Sequence, residues 1–544
     1  MGLIIMNFPV RSFLKKWKVS NKVFQQDWQV FGHGSRKCNK STAGLSGFTE
    51  TLIELCQSRH FITGDIITED ALINGWYNYG HLGMELKKNL TSKWWDSVVL
   101  SREQVFGVMT PHTLMGSQCS DNRSVRLMET AALQVLLNNK DLTKEEIVAL
   151  LKDSLEESII LRSNLLQGAI QEYTRSLNLV NRKLPFGLAE IGVCYQPFPT
   201  GKYPTVCNAV RTGELDMASL VWFSSPRTSS QWLDYWVRQR LLWWRKFAKN
   251  PSSFTAGDFQ DIDGTKGSAL YFNFPWGKEP IEKLLNLGDK ELVLEHHGNK
   301  TNLKGRDGRK TVVPHVVSVS GNLDRGVMAF LFDSLQLTEK LDSKLRDNQK
   351  KVLKLHPSLA PVKVGLEMGK GPTVELRQVC EGLFRGMLEK RITVWPGYLE
   401  TMHTSLEHLI MKYDEMGVIF TIVINDTTLE SGLVQLRNRD TAIKELAHIS
   451  EGNPDFPPGL MDHRFDTWRD GVFDASQEYV PWCSLLTEDP PSPTGQPLGP
   501  TPADLCDPRW PTFTMPHELH DTPVLFTFNM TVSLKESIAP VSRP

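Results

Sequence analysis

The chain has almost no net charge. Across 544 residues, 61 Lys and Arg stand against 62 Asp and Glu, a formal charge of −1. That balance excludes a uniformly basic nucleic-acid binder and leaves only local patches. Cysteine is also scarce. The eight (Cys38, Cys56, Cys119, Cys194, Cys207, Cys380, Cys483, Cys506) are scattered without a CxxC pair. Neither a disulfide framework nor a zinc site is expected, no metal is predicted, and a reducing compartment fits. No apolar run reaches the ~18–20 residues that cross a bilayer, so a soluble protein without a membrane partner is expected. Acidic residues are missing before Asp27, whereas Arg11, Lys15, Lys16, Lys18 and Lys22 are interspersed with Leu, Ile, Phe and Trp. This pattern fits a mitochondrial presequence better than a secretory signal; a basic disordered tail is the alternative.

What is present divides the chain into six stretches. Residues 1–47 form the leader. Residues 48–125 mix helix and strand signals, and "GHLGMELKKNLTSKWWDSVV" (80–99) puts Leu82, Leu86, Leu90, Trp94 and Val98 on one helical stripe. Residues 126–182 read as purely helical. "TKEE" (143–146) is a capping box, with Thr143 placed to bond the amide of Glu146. Ile147, Leu150, Leu151 and Leu155 follow on one face, and a second helix carries Leu161, Leu165, Leu166, Ala169, Ile170, Tyr173 and Leu177. The two form a hairpin that pairs with a second copy as a four-helix bundle or packs on its parent domain. Strand-like runs resume over 183–355, around the aromatic-basic helix "QWLDYWVRQRLLWWRKFAK" (231–249). Residues 356–450 alternate strand and helix, as a compact α/β domain does. The tail, 451–544, holds 16 of the 31 prolines and is assigned no fold.

Four separated motifs, in order along 50–445, resemble the class II aminoacyl-tRNA synthetases and among them the glycyl enzymes. They are "YGHLGMELKKNLTSKWW" (79–95), "LPFGLAEIG" (184–192), "GNLDRGVMAFL" (321–331) and "KYDEMGVIFTIVINDTTLESGLVQLRNRD" (412–440). The resemblance implies an α/β (α+β) fold: a synthetase-like antiparallel-sheet domain carrying the inserted hairpin, then an anticodon-binding-like α/β domain. It also exposes departures. Such synthetases follow the second motif with Phe-Arg-Asn-Glu, where this chain has Tyr195, Gln196, Pro197 and Phe198. A neutral amide cannot replace a guanidinium at a phosphoryl transition state. The glycyl enzymes' T-x-A-E glutamate matches Ser219 in "DMAS", a poor partner for an ammonium. Arg325 matches the third motif's arginine, but a structural ion pair suits it better. No enzyme and no cofactor are therefore expected.

A synthetase-like chain with a neutralised site, a helical insertion and a presequence resembles the accessory-subunit family of the mitochondrial DNA polymerase. That resemblance implies a homodimer built through the hairpin (Leu150, Leu151, Leu155, Leu165, Leu166, Ile170), matrix localisation, and a processivity role. It implies partners too: the catalytic polymerase subunit and primer-template or double-stranded DNA. DNA-contact candidates are Lys300, Lys304, Arg306, Arg309 and Lys310 in one basic stretch, and Arg238, Arg245 and Lys246 on the aromatic helix. The helix tryptophans, at helical spacing, are expected in the core. Glu375, Arg377 and Glu381, beside Leu376, Val379 and Leu383, are the candidate polymerase contacts; an ordinary amphipathic helix is the alternative. Gly432 is expected to serve a turn. A glycyl-tRNA synthetase and a synthetase-like tRNA-binding protein are the competing readings.

Overall fold

A computed structural model describes residues 42–64, 67–115, 125–139, 143–196, 213–261, 264–298, 300–338, 350–370, 373–400 and 405–449. All belong to one compact unit, Met1–Phe473. The basic stretch 1–41, Pro197, Phe198 and the tail from 451 lie outside the described residues.

The fold starts inside the expected leader, with helix α1 (Thr42–Ser58), whose Leu52 and Leu55 are buried. Helix α2 (His81–Trp95) continues as a π-helical turn, Asp96–Leu100. Its stripe of Leu82, Leu86, Leu90, Trp94 and Val98 is buried, as the periodicity predicts. Strand β1 (Val105–Gly107) follows.

Residues 126–182 are not purely helical. A small antiparallel sheet forms their base, from β2 (Thr113–Met115), β3 (Val125–Leu127) and β4 (Ile159–Leu161). Between β3 and β4 lie helices α3 (Thr130–Asn138) and α4 (Lys144–Glu157), and the Thr143–Glu146 capping box starts α4. This arm exposes Val135, Leu137, Val148, Leu150 and Leu155. Helix α5 (Leu166–Leu179) does not join it. Its Ala169, Ile170, Tyr173 and Leu177, with Leu165 just before, are buried within the parent domain. Leu165, Leu166 and Ile170 are thus not part of an outward-facing apolar seam.

Next come β5 (Phe186–Tyr195), β6 (Glu214–Ser224), α6 (Ser229–Lys246), β7 (Phe254–Gln260), β8 (Lys266–Phe274) and β9 (Gly277–Gly288). Short helices α7 (Lys290–Glu295) and α8 (Lys300–Leu303) lead to the hairpin β10 (Gly305–Asp307)–β11 (Lys310–Val312). Strand β12 (His315–Asn322) runs into helix α9 (Leu323–Ser334). Seven strands form the main sheet in the order β1-β5-β6-β12-β9-β8-β7, antiparallel except where β1 meets β5. Strand β6 is covered on both faces, which is why "ASLVWF" reads as a nearly unbroken apolar run. Ala218, Leu220 and Trp222 pack in the layer with α2, α6 and α9; Val221 and Phe223 pack with α5 and Leu292 of α7.

The anticodon-like part contributes β13 (Val364–Met368), α10 (Thr373–Glu389), β14 (Val394–Pro396), α11 (Leu406–Met416), β15 (Phe420–Ile424), α12 (Asp426–Ser431), β16 (Leu433–Asn438) and β17 (Lys444–His448). Its sheet order is β14-β13-β15-β16-β17, with β13 parallel to both neighbours. Gly432 caps α12 at φ 70°, and a side chain there would overlap the His448 ring. It closes a helix leading into β16, rather than a turn between two strands. Arg59–Glu415 (2.6 Å) and the His81 ring stacked on Trp395 join this part to the first.

Charge is buried where α6 crosses the sheet. Arg240 donates to Glu282 (2.9 Å), and the Trp244 Nε1 donates to the other carboxylate oxygen (2.6 Å). The guanidinium lies over the Trp243 ring at 4.3 Å. Of Trp232, Trp236 and Trp243, whose spacing predicts core positions, Trp236 and Trp243 are buried and Trp232 is half-buried against the core; Trp244, outside that set, is buried too. Glu282→Ala strands the Arg240 charge, and we expect a loss of about 3–5 kcal/mol in urea unfolding. The apolar pair Arg240→Met/Glu282→Leu should restore most of it; equal midpoints for the parent and Glu282→Ala would contradict this assignment.

Candidate functional site

Two places gather polar side chains that the fold holds still: one face of the main sheet and one of its edges. On the face, β5–β6 register sets Glu190 opposite Ser219, and β6–β12 register sets Ser219 opposite Ser320. Glu190 is buried and fully engaged. Arg162 donates to it at 2.7 Å, and Thr110 donates through its amide (3.0 Å) and hydroxyl (2.7 Å). Arg162 also donates to the carbonyls of Thr110 and Val193, both at 2.9 Å. The guanidinium lies so close over β5 that a side chain at residue 192 would have to displace it. Beside the pair is a cleft of about 110 Å³ lined by Thr110, Arg162, Asn164, Gln167, Gly168 and Gln171. That is well short of the ~300–1,000 Å³ of ordinary small-molecule sites.

Of the positions singled out in the sequence, Tyr195 ends β5 opposite Glu214, and the Gln196 amide donates to the Gly213 carbonyl (2.7 Å). Ser219 is buried. Arg325, in the first turn of α9, pairs with Glu279 (3.3 Å) and donates to the carbonyls of Leu72 (2.9 Å) and Ile73. Neither Arg162 nor Glu190 was singled out in the sequence. Their partnership spans 28 positions and follows no local pattern.

The edge site is basic. The stretch 300–310 is a short helix and a hairpin, with Gly308 at φ 58° in the turn. Lys304, Arg306, Arg309 and Lys310 are exposed, and Lys300 lies 3.7 Å from Asp289. The segment 181–184 is laced to it. Arg182 donates to the carbonyls of Asn302 (2.8 Å) and Lys304 (2.7 Å), Arg306 donates to the Asn181 carbonyl (2.7 Å), and the Arg306 amide to the Arg182 carbonyl (2.6 Å). Arg182 and Lys183 thereby join the cluster, an addition that sequence spacing does not reveal. On α6 the cations diverge. Arg238 and Lys246 are exposed, whereas Arg245 turns inward onto the Phe254 carbonyl (3.0 and 2.9 Å).

On α10, Glu375 and Arg377 are exposed, and Arg377 pairs with Glu381 at 3.5 Å. Leu376 is buried, and Val379 and Leu383 pack on the core, so these three cover their own sheet rather than offering an outward apolar surface.

This C-terminal part, residues 361–452, matches the family model described as Anticodon binding domain. Over a longer stretch, the chain is 53% identical to DNA polymerase subunit gamma-2 of Bos taurus across 406 residues, 74% of this chain and 84% of that one. Identity to the Mus musculus protein of the same name is also 53%, over 442 residues, 77% of this chain and 96% of the relative. The chain belongs to the DNA polymerase subunit gamma-2 family. Glycine–tRNA ligases are more distant: that of Treponema denticola is 24% identical over 440 residues, 72% of this chain and 92% of the ligase. With the anticodon-binding domain and the seven-stranded sheet, these matches establish the class II synthetase-like fold.

Within this family member's anticodon-binding domain, one buried carboxyl is out of its usual range. Glu367, on β13, accepts a hydrogen bond from the Tyr413 hydroxyl. Burial, then the nearby Glu400 charge, push its pKa up from 4.5 to about 7, against the pull of Lys412. The unfolded chain ionises this group near 4.5, so between that value and 7 the folded state holds the extra proton. Raising pH through this window therefore removes stability, by at most about 3 kcal/mol. Glu367→Gln should lack that slope. Urea midpoints at pH 5 and pH 8 for both proteins check it; parallel pH dependences would show that Glu367 is not the group responsible.

Proposed function

We propose that this protein is the non-catalytic accessory subunit of the mitochondrial DNA polymerase, a processivity factor that holds the catalytic subunit on primed DNA. The observation that carries the reading is the 53% identity to DNA polymerase subunit gamma-2 over most of the chain, against 24% to glycine–tRNA ligases. The basic leader supports a mitochondrial matrix location, at the nucleoid. A relative from Xenopus laevis, 48% identical over 417 residues, is named as mitochondrial.

The absence of catalysis rests on chemistry. Gln196 and Ser219 are uncharged where adenylate formation and ammonium binding need charge, and Arg325 is engaged by Glu279. A processivity factor breaks no bond; it lowers an off-rate. The cations at Arg182, Lys183, Lys304, Arg306, Arg309 and Lys310 are suited to phosphate contacts, which give affinity without sequence preference. The exposed leucines and valines of α3 and α4 suit a second copy of the chain, as in a four-helix bundle. Contact with the catalytic subunit falls to the anticodon-binding domain, with Glu375, Arg377 and Glu381 at its accessible helix face.

Primer extension by the catalytic subunit, with excess competitor DNA as a trap, tests the reading. Added chain should lengthen the products of each binding event; unchanged lengths would refute the accessory role. The triple change Arg306→Gln/Arg309→Gln/Lys310→Gln should weaken duplex binding. It should also flatten the slope of log affinity against log salt by about 2–3 units, near 0.9 per lost phosphate contact. Fluorescence anisotropy across a salt series measures both, and an unchanged slope would remove the hairpin from the DNA interface.

A further inference from the structure

The outer third of the main sheet carries a second arrangement, separate from the basic edge. Along β7 and β8, Phe254, Leu270, Phe272 and Phe274 enter the core, so Thr255, Gly257, Phe259, Gly267, Ala269, Tyr271 and Asn273 line the opposite face. Two aromatic rings stand there, each under a lysine. The Lys278 Nζ is 4.5 Å from the Tyr271 ring centre, and the Lys283 Nζ is 4.8 Å from that of Phe259. Gly257 lies opposite Ala269 and Gly267 opposite Phe259; Ala269 is fully buried and the Tyr271 ring lies against Gly257, so the half-exposed rings and their lysines form the accessible surface here. Lys278 and Lys283 are exposed, and among the described residues neither lies within ion-pair distance of a carboxylate. Of the acids on β9, Glu279 is committed to Arg325 and the Trp276 indole, and Glu282 to Arg240 and Trp244; Asp258 on β7 lies near the Tyr271 hydroxyl, which donates to its backbone carbonyl.

We propose that this face binds single-stranded nucleic acid, with Tyr271 and Phe259 as stacking platforms and Lys278 and Lys283 as phosphate contacts. The complementarity is of charge and of aromatic surface. Two exposed lysines outside ion-pair distance of any described carboxylate lie over two half-exposed rings, and each ring offers a π-face once its lysine turns to a phosphate. Tyr271 lies opposite Thr255, so Tyr271 and Phe259 are separated by four residues along the strand direction, roughly 14 Å. Each ring thus takes a different base. A duplex hides its base faces in the stack, so a strand with free bases is the occupant that uses both rings. Ring stacking and phosphate contacts carry no base-edge readout, so little sequence preference is expected.

Anisotropy titrations of the full-length chain against fluorescein-labelled oligo(dT), oligo(U) and a blunt duplex hairpin test this. Phe259→Ala/Tyr271→Ala should weaken binding of both single strands by tenfold or more and leave the duplex within about twofold. Tyr271→Phe, which keeps the ring, should bind as the parent does. Lys278→Gln/Lys283→Gln should reduce the single-strand salt slope by about 1.4, at 0.7 per phosphate contact. The proposal is overturned if the double alanine variant, with an unchanged thermal unfolding midpoint, binds both oligonucleotides as the parent does. It is equally overturned if Tyr271→Phe loses as much affinity as Tyr271→Ala.

Discussion

The main sheet buries a carboxylate on each of its faces, and the domain is arranged around compensating them. An unpaired buried charge costs several kcal/mol, so each dictates where its partner must arrive. Glu190 calls Arg162 from just beyond β4, at the base of the helical arm. Glu282 calls Arg240 from α6 on the other face. Both arginines come from elements remote in sequence, and both are nearly excluded from solvent. The Arg162 bond set reaches β5 and the Thr110 segment, so the arm's root is tied to the sheet by charge as well as by strand pairing. Space for it depends on Gly192, where any larger residue would displace the guanidinium.

A scaffold fixed in this way suits a protein that works by contact. Lengthening a complex's lifetime tenfold takes only about 1.4 kcal/mol, which a few phosphate or surface contacts supply if they are preorganised. The edge cluster is preorganised by its backbone. Carbonyls of 181, 302 and 304 accept from the guanidinium ends of Arg306 and Arg182, while Arg309 and Lys310 remain at the hairpin tip. In the proposed role, the synthetase-like fold supplies rigidity and charge on its rim supplies the attraction.

Sequence periodicity reported faces well and partners poorly. The α2 stripe, the α4 capping box and the tryptophans of α6 were legible because each depends on residues within one helix. Helix α5 illustrates the limit. Its apolar stripe was evident, but a stripe carries no statement of what covers it, and here the parent sheet covers it. The same holds for Leu376, Val379 and Leu383, whose positions on α10 were readable while their inward direction was not. Arg325 was legible as an ion-pair former, but Glu279 as its partner was not. Glu190 and Arg162 were invisible, since a pair joined across a sheet depends on register that only the folded chain defines. Arg182 and Lys183 entered the basic cluster for the same reason.

The most direct test of the central claim is the lifetime of the catalytic polymerase subunit on a primer-template, followed by stopped-flow fluorescence with and without this chain. The account predicts that the chain lengthens that lifetime by tenfold or more, and that raising salt shortens the gain. A lifetime unchanged by the chain at saturating concentration would contradict it.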